Sequence, residues 1–292
     1  MTELTIISGK GGTGKTSVTA SFAALAKNAV FADCDVDAAN MHLVMVPDIK
    51  KTVVFTGGKS AAIEAEKCIG CGKCYKHCRY GAIKPAEDGK YKVNEYACEG
   101  CGVCARVCPA DAVRFEEAES GEWYVSDTRF GTMVHAKLYT AAENSGKLVS
   151  EVRMEARKRA KEANAEWLLV DGPPGIGCPV IASITGTNGI LVVTEPTVSG
   201  MHDLERVLGL AAHFALPAYL CVNKWDLNEE MTENIEKMAA DLGCISVGRI
   251  RYDNAVTSAQ VAFKTVIEHG GEAAEDIKEI WKNLKSRFKE ER

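Results

Sequence analysis

The chain is 292 residues long and 46% hydrophobic, with 35 Lys and Arg against 40 Asp and Glu, a formal net charge of -5 and a pI near 5.8. That length suits one large domain with a smaller companion, and the acidic balance gives no electrostatic footprint for nucleic acid, so no nucleic-acid partner is expected. The chain opens directly on an apolar strand with no room for a signal peptide and has no run of membrane-spanning length, so it is expected to be cytoplasmic, where its 12 cysteines predict metal ligation rather than disulfides.

Leu4–Ile7 reads as a buried strand, followed by Ser8-Gly-Lys-Gly-Gly-Thr-Gly-Lys-Thr-Ser17 and a helix over Lys15–Lys27. A G-x-x-x-x-G-K-[ST] run from Gly9 to Thr16 between strand and helix is a phosphate cradle. Its glycines allow the tight turns that aim amide N–H groups, together with the positive end of the helix, at a phosphate chain. The candidate nucleotide-binding residues are Gly11, Gly12, Thr13, Gly14, Lys15, Thr16 and Ser17, with Lys15 reaching the outer phosphates and the Thr16 hydroxyl binding the accompanying Mg2+. Lys10 comes too early in the loop to duplicate Lys15. This form resembles the deviant phosphate loop of the MinD/ParA family, whose relatives include Mrp-type cluster carriers and the nitrogenase iron protein. The resemblance implies that Lys10 crosses to the nucleotide of a second subunit, hence a homodimer with nucleotide between the protomers.

Ala29–Ala32 is the next expected strand, ending in Asp33-Cys34-Asp35-Val36-Asp37-Ala38-Ala39-Asn40. Acidic residues at a strand's carboxyl end beside a phosphate loop are placed to handle Mg2+ and water. By resemblance to the first switch of MinD-like proteins, Asp35 positions the attacking water and Asn40 matches the switch asparagine. Asp37 reads as a turn residue.

Between Ile63 and Phe115 the pattern changes: eight cysteines form two C-x2-C-x2-C-x3-C runs, Cys68, Cys71, Cys74, Cys78 and then Cys98, Cys101, Cys104, Cys108, the second followed by Pro109. Zinc ribbons use paired C-x2-C, whereas a third cysteine at the same spacing wraps three ligands around one face of a cube-shaped cluster. The runs resemble those of two-cluster bacterial ferredoxins, in which each fourth cysteine serves the other cluster. That implies one 4Fe-4S cluster on Cys68, Cys71, Cys74 and Cys108 and a second on Cys98, Cys101, Cys104 and Cys78. Arg79 stands where such ferredoxins often have proline, and a cation there can move the potential of the second cluster. Each run leads into a short apolar pair, Ala82-Ile83 and Ala112-Val113, suited to the small strands of such a module. So small an insert buries little core of its own, and the clusters are expected to be its main staple.

From Trp123 the chain is expected to return through loops at residues 131–136 and 143–149, with His135 unassigned, ahead of a helix over Lys147–Glu162. Trp167–Val170 is an apolar strand of the kind buried in a parallel sheet, and it delivers Asp171-Gly-Pro-Pro-Gly-Ile-Gly. Asp171 can hold the Mg2+ shell through water and Gly175 can offer an amide to the terminal phosphate, matching the second switch of the MinD-like family. Cys178 stands where the nitrogenase iron protein has a cluster cysteine, but its usual partner and the C-x-x-C of Mrp-type carriers are both missing, so Cys178 reads as a buried structural residue.

Strands over Ile190–Val193 and Tyr219–Val222 alternate with helices over Met201–Phe214 and Glu229–Leu242. The second strand ends in Asn223-Lys224-Trp225-Asp226. Resemblance to MinD-like proteins implies that Asn223 and Lys224 border the purine. Asn-Lys-x-Asp is also the guanine-reading motif of GTPases, so GTP stays open beside ATP. The tail over Ala273–Arg292 aligns Ile277, Ile280, Trp281, Leu284 and Phe288 on one face. MinD carries a membrane-targeting helix there, but mixed charges predict a helix packed on its own sheet.

The expected fold is therefore α/β, a mostly parallel doubly wound sheet of the deviant-P-loop type over residues 1–56 and 121–292, with a small α+β ferredoxin-like insert at 57–120. The resemblance implies a slow, partner-stimulated ATPase with Lys10, Lys15 and Asp35 as catalytic residues, coupling the nucleotide state of a homodimer to electron transfer through two 4Fe-4S clusters toward a redox or iron–sulfur protein partner. Two further readings follow from the same family: a cluster assembly carrier, and a positioning ATPase with a redox-sensing module.

Overall fold

The strand Thr2–Ser8 (β1) is buried along its whole length because its two faces feed two different cores: Leu4 and Ile6 on one side, Ile7 on the other. The same alternation recurs in Gly189–Thr194, where Leu191 and Val193 oppose Ile190 and Val192, and in Ala218–Asn223, where Tyr219 and Cys221 oppose Leu220 and Val222. A sheet buried on both faces needs helices on both faces, and parallel pairing with helical crossovers supplies them. The computed structural model describes residues 1–139 and 145–290.

In chain order the further strands are β2 (Ala29–Asp33), β3 (Asp48–Ile63), β4 (Ile83–Pro85), β5 (Tyr91–Val93), β6 (Val113–Thr128), β7 (Gly131–Leu138), β8 (Trp167–Pro174), β9 (Gly189–Thr194), β10 (Ala218–Asn223) and β11 (Ile245–Ile250). The main sheet has the order β11-β10-β9-β1-β8-β2-β7-β6-β3. From β11 to β7 the pairs are parallel, with Leu4 opposite Leu169 and Gly189, and Phe31 opposite Leu169 and Met133.

Two compact units divide the chain: Met1–Thr52, Trp123–Lys137 and Gly146–Arg292 form one, and Val53–Glu122 with Leu138–Ser145 the other. In the first, helices Lys15–Leu25 and Glu272–Glu290 cover one face of the sheet, and Val198–His213 and Glu229–Asp241 cover the other. The C-terminal helix packs on its own sheet as its pattern predicts: Trp281 lies 4.9 Å from Phe22 and 5.0 Å from Trp167, and Phe288 lies 5.4 Å from Tyr219, ring centre to ring centre. Among the described residues no helix is long and apolar enough to cross a membrane.

One expectation is corrected. Residues 131–136 form β7, not a loop, and Trp123–Thr128 belongs to β6. β7 pairs with β2, and Met133, Val134, His135 and Ala136 are all buried, so the polar–apolar alternation that marks a half-exposed strand never arises. Its Gly131 is required by space, since a Cβ there would lie 2.6 Å from the Ala29 carbonyl oxygen. The returning helix begins at Ser145, two residues before the expected start, and residues 143–144 of the second expected loop lie outside the described residues.

The second unit holds the antiparallel pair β4 and β5 and the one-turn helices Lys73–His77 and Val103–Arg106. Its core is small, with Ala61, Cys74, Ile83, Cys104 and Val113 as the buried members.

Candidate functional site

The phosphate loop turns on two glycines in the left-handed region, Gly12 at φ 85° and Gly14 at φ 89°. Gly14 is doubly constrained, because a Cβ there would lie 2.4 Å from Asn223 Nδ2, whose amide donates to the Thr13 carbonyl at 2.8 Å. The loop, β2's end and the β8 turn enclose a cleft of about 640 Å3 lined by Gly11 to Ser17, Asp35, Asp37, Asn40, Pro173 and Pro174, with Gln260 and Phe263 at one side.

Inside it, Lys15 is buried, with Nζ 3.0 Å from Asp171 Oδ1 and 3.4 Å from Asp35 Oδ2. The Thr16 hydroxyl donates to Asp171 Oδ2 at 2.8 Å. Thr19, one helical turn on, brings a second hydroxyl to 2.9 Å from Asp171 Oδ1. Asp33 is fully buried, accepting the amides of Asp35 at 3.2 Å and Met41 at 3.3 Å.

Burial pushes the Asp33 carboxyl up to about 8, with the charge of Asp171 adding to it and Lys15 opposing. Asp35 is also raised, by burial first, against the pull of Lys15. Burial works against the Lys15 ammonium, yet Asp171, Asp35 and Asp33 together outweigh it and raise its pKa. With Asp33 held protonated by burial, the carboxylates of Asp35 and Asp171 around the one Lys15 ammonium still leave excess negative charge, a donor set that suits a hard divalent cation. Thr13 Oγ1 is buried without a hydrogen-bond partner beside the loop amides, and Gly11 and Gly12 face open space, so the loop fits a phosphate chain.

Three predicted residues lie elsewhere. Lys10 is folded back on its own chain, with Nζ 3.2 Å from Ser199 Oγ, 3.4 Å from Thr197 Oγ1 and 3.8 Å from Glu195 Oε2. Lys224, in a left-handed conformation, pairs with the same Glu195 at 2.5 Å. The Gly175 amide donates to the Ser8 carbonyl at 2.8 Å. Sequence reasoning missed Glu195, which bridges the two lysines, and Thr19; Thr19 could have been found as the position one turn after Lys15 on the helix face that meets β8.

Cys178 corrects another expectation: it is exposed, at the first position of the helix Cys178–Ile184. Val180, Ser183 and Ile184 carry that helix's buried face, and the first residue falls on the other side.

In the second unit the cysteines gather around two small apolar cavities. One is lined by Cys68, Cys71, Cys74 and Cys108, and the other by Cys78, Cys98, Cys101 and Cys104. Each cavity thus takes three cysteines from one run and the fourth from the other. The Cys98 sulfur accepts the Ala61 amide at 3.4 Å, and the Cys108 sulfur accepts the Ala112 amide at 3.3 Å. Gly100, at φ 59°, lets the backbone wrap closely, since a Cβ there would lie 2.3 Å from the Lys59 carbonyl oxygen. Sulfurs arranged around a void fit a cluster in which each thiolate binds its own iron.

Fold and site together define a MinD/ParA-type P-loop ATPase fold with an inserted iron–sulfur module. Residues 61–115 match the family model of a 4Fe-4S dicluster domain. The MinD cell division ATPase of Pyrococcus furiosus superposes with a TM-score of 0.59 at 16% identity, over 98% of each chain. MinD of Pyrococcus horikoshii, solved in complex with Mg-ADP, gives 0.57 at 15% identity over 97% of this chain and 95% of that one. The protein MJ0578 of Methanocaldococcus jannaschii is 35% identical over 77% of this chain and 79% of its own length, and the chain belongs to that protein's family.

Proposed function

We propose that this protein hydrolyses ATP as a homodimer and couples its nucleotide state to electron transfer through two 4Fe-4S clusters. The observation that carries the reading is the pairing, in one chain, of a complete phosphate cleft built from Lys15, Thr16, Asp35 and Asp171 with two four-cysteine cavities. In this reading Lys15 and the loop amides hold the phosphates, and Thr16 and Asp171 would hold Mg2+. Asp35, already hydrogen-bonded to Lys15, orients the attacking water. Lys10 leaves Thr197 and Ser199 to reach the partner's nucleotide, where it neutralises charge developing on the transferring group. Gly175 exchanges the Ser8 carbonyl for the terminal phosphate.

Cys68, Cys71, Cys74 and Cys108 would hold one cluster and Cys78, Cys98, Cys101 and Cys104 the other; each supplies a one-electron site when bound. ATP is favoured over GTP by the deviant form of the phosphate loop, with Lys10 ahead of Lys15, while Asp226 Oδ1 accepts the Tyr252 amide at 2.7 Å.

The test is an anaerobic titration of the cluster midpoint potentials in the nucleotide-free, MgADP and non-hydrolysable MgATP-analogue states. A shift of about 60 mV, a tenfold change for one electron, is the expected result. Identical potentials in all three states overturn the coupling.

A further inference from the structure

The two cysteine runs are built alike but charged differently. Residues 67–80 carry Lys67, Lys73, Lys76 and Arg79 with no Asp or Glu, a net charge of 4 - 0 = +4, while the equivalent residues 97–110 carry Glu99 and Arg106 and sum to zero. Ligation alone therefore does not require the basic set, and the chain as a whole is acidic at -5.

Lys67 is used locally, 2.8 Å from Glu64. Lys73, Lys76 and Arg79 are exposed, and among the described residues none of the three is in an ion pair. Helix stabilisation accounts for only part of the set. Lys76 falls in the last turn of Lys73–His77, where a cation suits the helix dipole, but Lys73 opens the first turn, where the dipole opposes it. Within the same fourteen-residue stretch stand the exposed Cys71 and two large apolar side chains, Ile69 at 67% and Tyr75 at 48% exposure.

We propose that this face, formed by Lys73, Lys76 and Arg79 around Ile69, Cys71 and Tyr75, is the docking surface for an acidic one-electron carrier protein. The proposal rests on the electron-transfer reading above. A small apolar centre with a one-signed charged rim makes a weak, fast-exchanging interface steered by charge, as transient redox encounters require. It also brings the partner against the one exposed cysteine of its cavity, since Cys74 is buried and Cys68 and Cys108 are half-buried. Nucleic acid is the poorer occupant. Three unpaired cations fall short of the six to ten phosphate contacts typical of such binding, and one face of the Tyr75 ring is taken by Tyr91, stacked at 5.8 Å.

The test uses the full cluster-loaded protein, immobilised anaerobically, with an oxidised, strongly acidic plant-type ferredoxin as the probe. Both proteins are oxidised, so binding is read without electron flow and independently of the nucleotide-dependent potentials that test the coupling. Binding should weaken about tenfold between low and physiological salt. The double variant K73Q/K76Q should slow association at least about fivefold, with its cluster absorbance unchanged, while R106Q on the other run should not. No binding at low salt, binding insensitive to K73Q/K76Q, or equal and equally sensitive binding of a single-stranded oligonucleotide would each overturn the proposal.

Discussion

Glu3 is the first charged residue of the chain and one of its most deeply buried, with 4% of its side chain exposed. It holds Arg153 Nε at 2.6 Å and Arg157 Nε at 2.7 Å, tying the start of β1 to the helix Ser145–Glu162. Arg153 is nearly as buried, and its Nη1 reaches the carbonyls of Ala182 at 3.1 Å and Thr185 at 2.6 Å, while its Nη2 has no partner. Burial lowers the Arg153 pKa, and Glu3 is the charge that opposes that loss. Glu3→Gln keeps the shape and removes the charge, leaving a buried cation short of its carboxylate. Breaking a buried pair in this way costs about 3–5 kcal/mol. The lower end applies here because two carbonyls still hold Arg153 and Arg157 is 35% exposed to water. A loss of about 3 kcal/mol corresponds to a drop in Tm of about 6–12 °C in a unit of this size. Arg157→Met should cost under about 1 kcal/mol, as exposed pairs do. Urea unfolding read by tryptophan emission is the suitable assay, because Trp123, Trp167, Trp225 and Trp281 all lie in the first unit. The reasoning fails if Glu3→Gln costs under about 1 kcal/mol with an unchanged urea slope, or if Arg157→Met costs as much.

Asp35→Asn should lower ATP hydrolysis by about 10²–10⁴-fold, the range for loss of a water-activating group, with binding of an MgATP analogue held within a few-fold; phosphate release and calorimetry separate the two, and a loss of binding alone would contradict the assigned role. Glu195→Gln removes the shared anchor of Lys10 and Lys224 and should raise the MgATP-dependent dimer association constant about two- to fivefold, the scale of an ion pair worth under about 1 kcal/mol; sedimentation that shows no gain argues against Lys10 as a dimer residue. His135, whose Nε2 lies 2.8 Å from Ser126 Oγ, is held down to about 4 by burial and then by the charge of His42. Its neutral form is therefore the one the fold accommodates, so stability present above pH 6.5 is lost as pH falls toward 4. About 2 kcal/mol should be gone by pH 5 at about 1.36 kcal/mol per pH unit. A urea midpoint that falls equally in wild type and His135→Gln would place that slope elsewhere.

Where a short stretch carries its own physical signature, the sequence could be read directly. The apolar runs before Ser8 and Asp171 announce strands buried on both faces, and the eight-cysteine spacing announces its ligand geometry, because both are local consequences of chemistry. The tail helix was legible because Ile277, Ile280, Trp281, Leu284 and Phe288 repeat at helical spacing. β3 and β6 gave no such signal: their Lys and Glu residues are mostly exposed, Ser120 and Ser126 are buried among them, and their apolar residues follow no sustained period. The Glu3–Arg153 pair spans 150 residues, a distance over which one sequence carries no pairing information. Cys178 was misplaced because burial at a helix start depends on which way the helix is rolled, and the loop before it sets that. Glu195 carries no local signature, because its partners Lys10 and Lys224 lie far from it in the chain.

The crossed sharing of cysteines also bears on the order in which the chain is made. The cavity that Cys68, Cys71 and Cys74 begin is closed by Cys108, which emerges from the ribosome 108 - 68 = 40 residues after the first of them. Its neighbour takes Cys78 from the earlier run and cannot be complete before Cys104. The two cavities are therefore completed close together, one at Cys104 and the other at Cys108. A nascent chain stalled between the runs carries Cys68, Cys71, Cys74 and Cys78 with neither cavity yet closed.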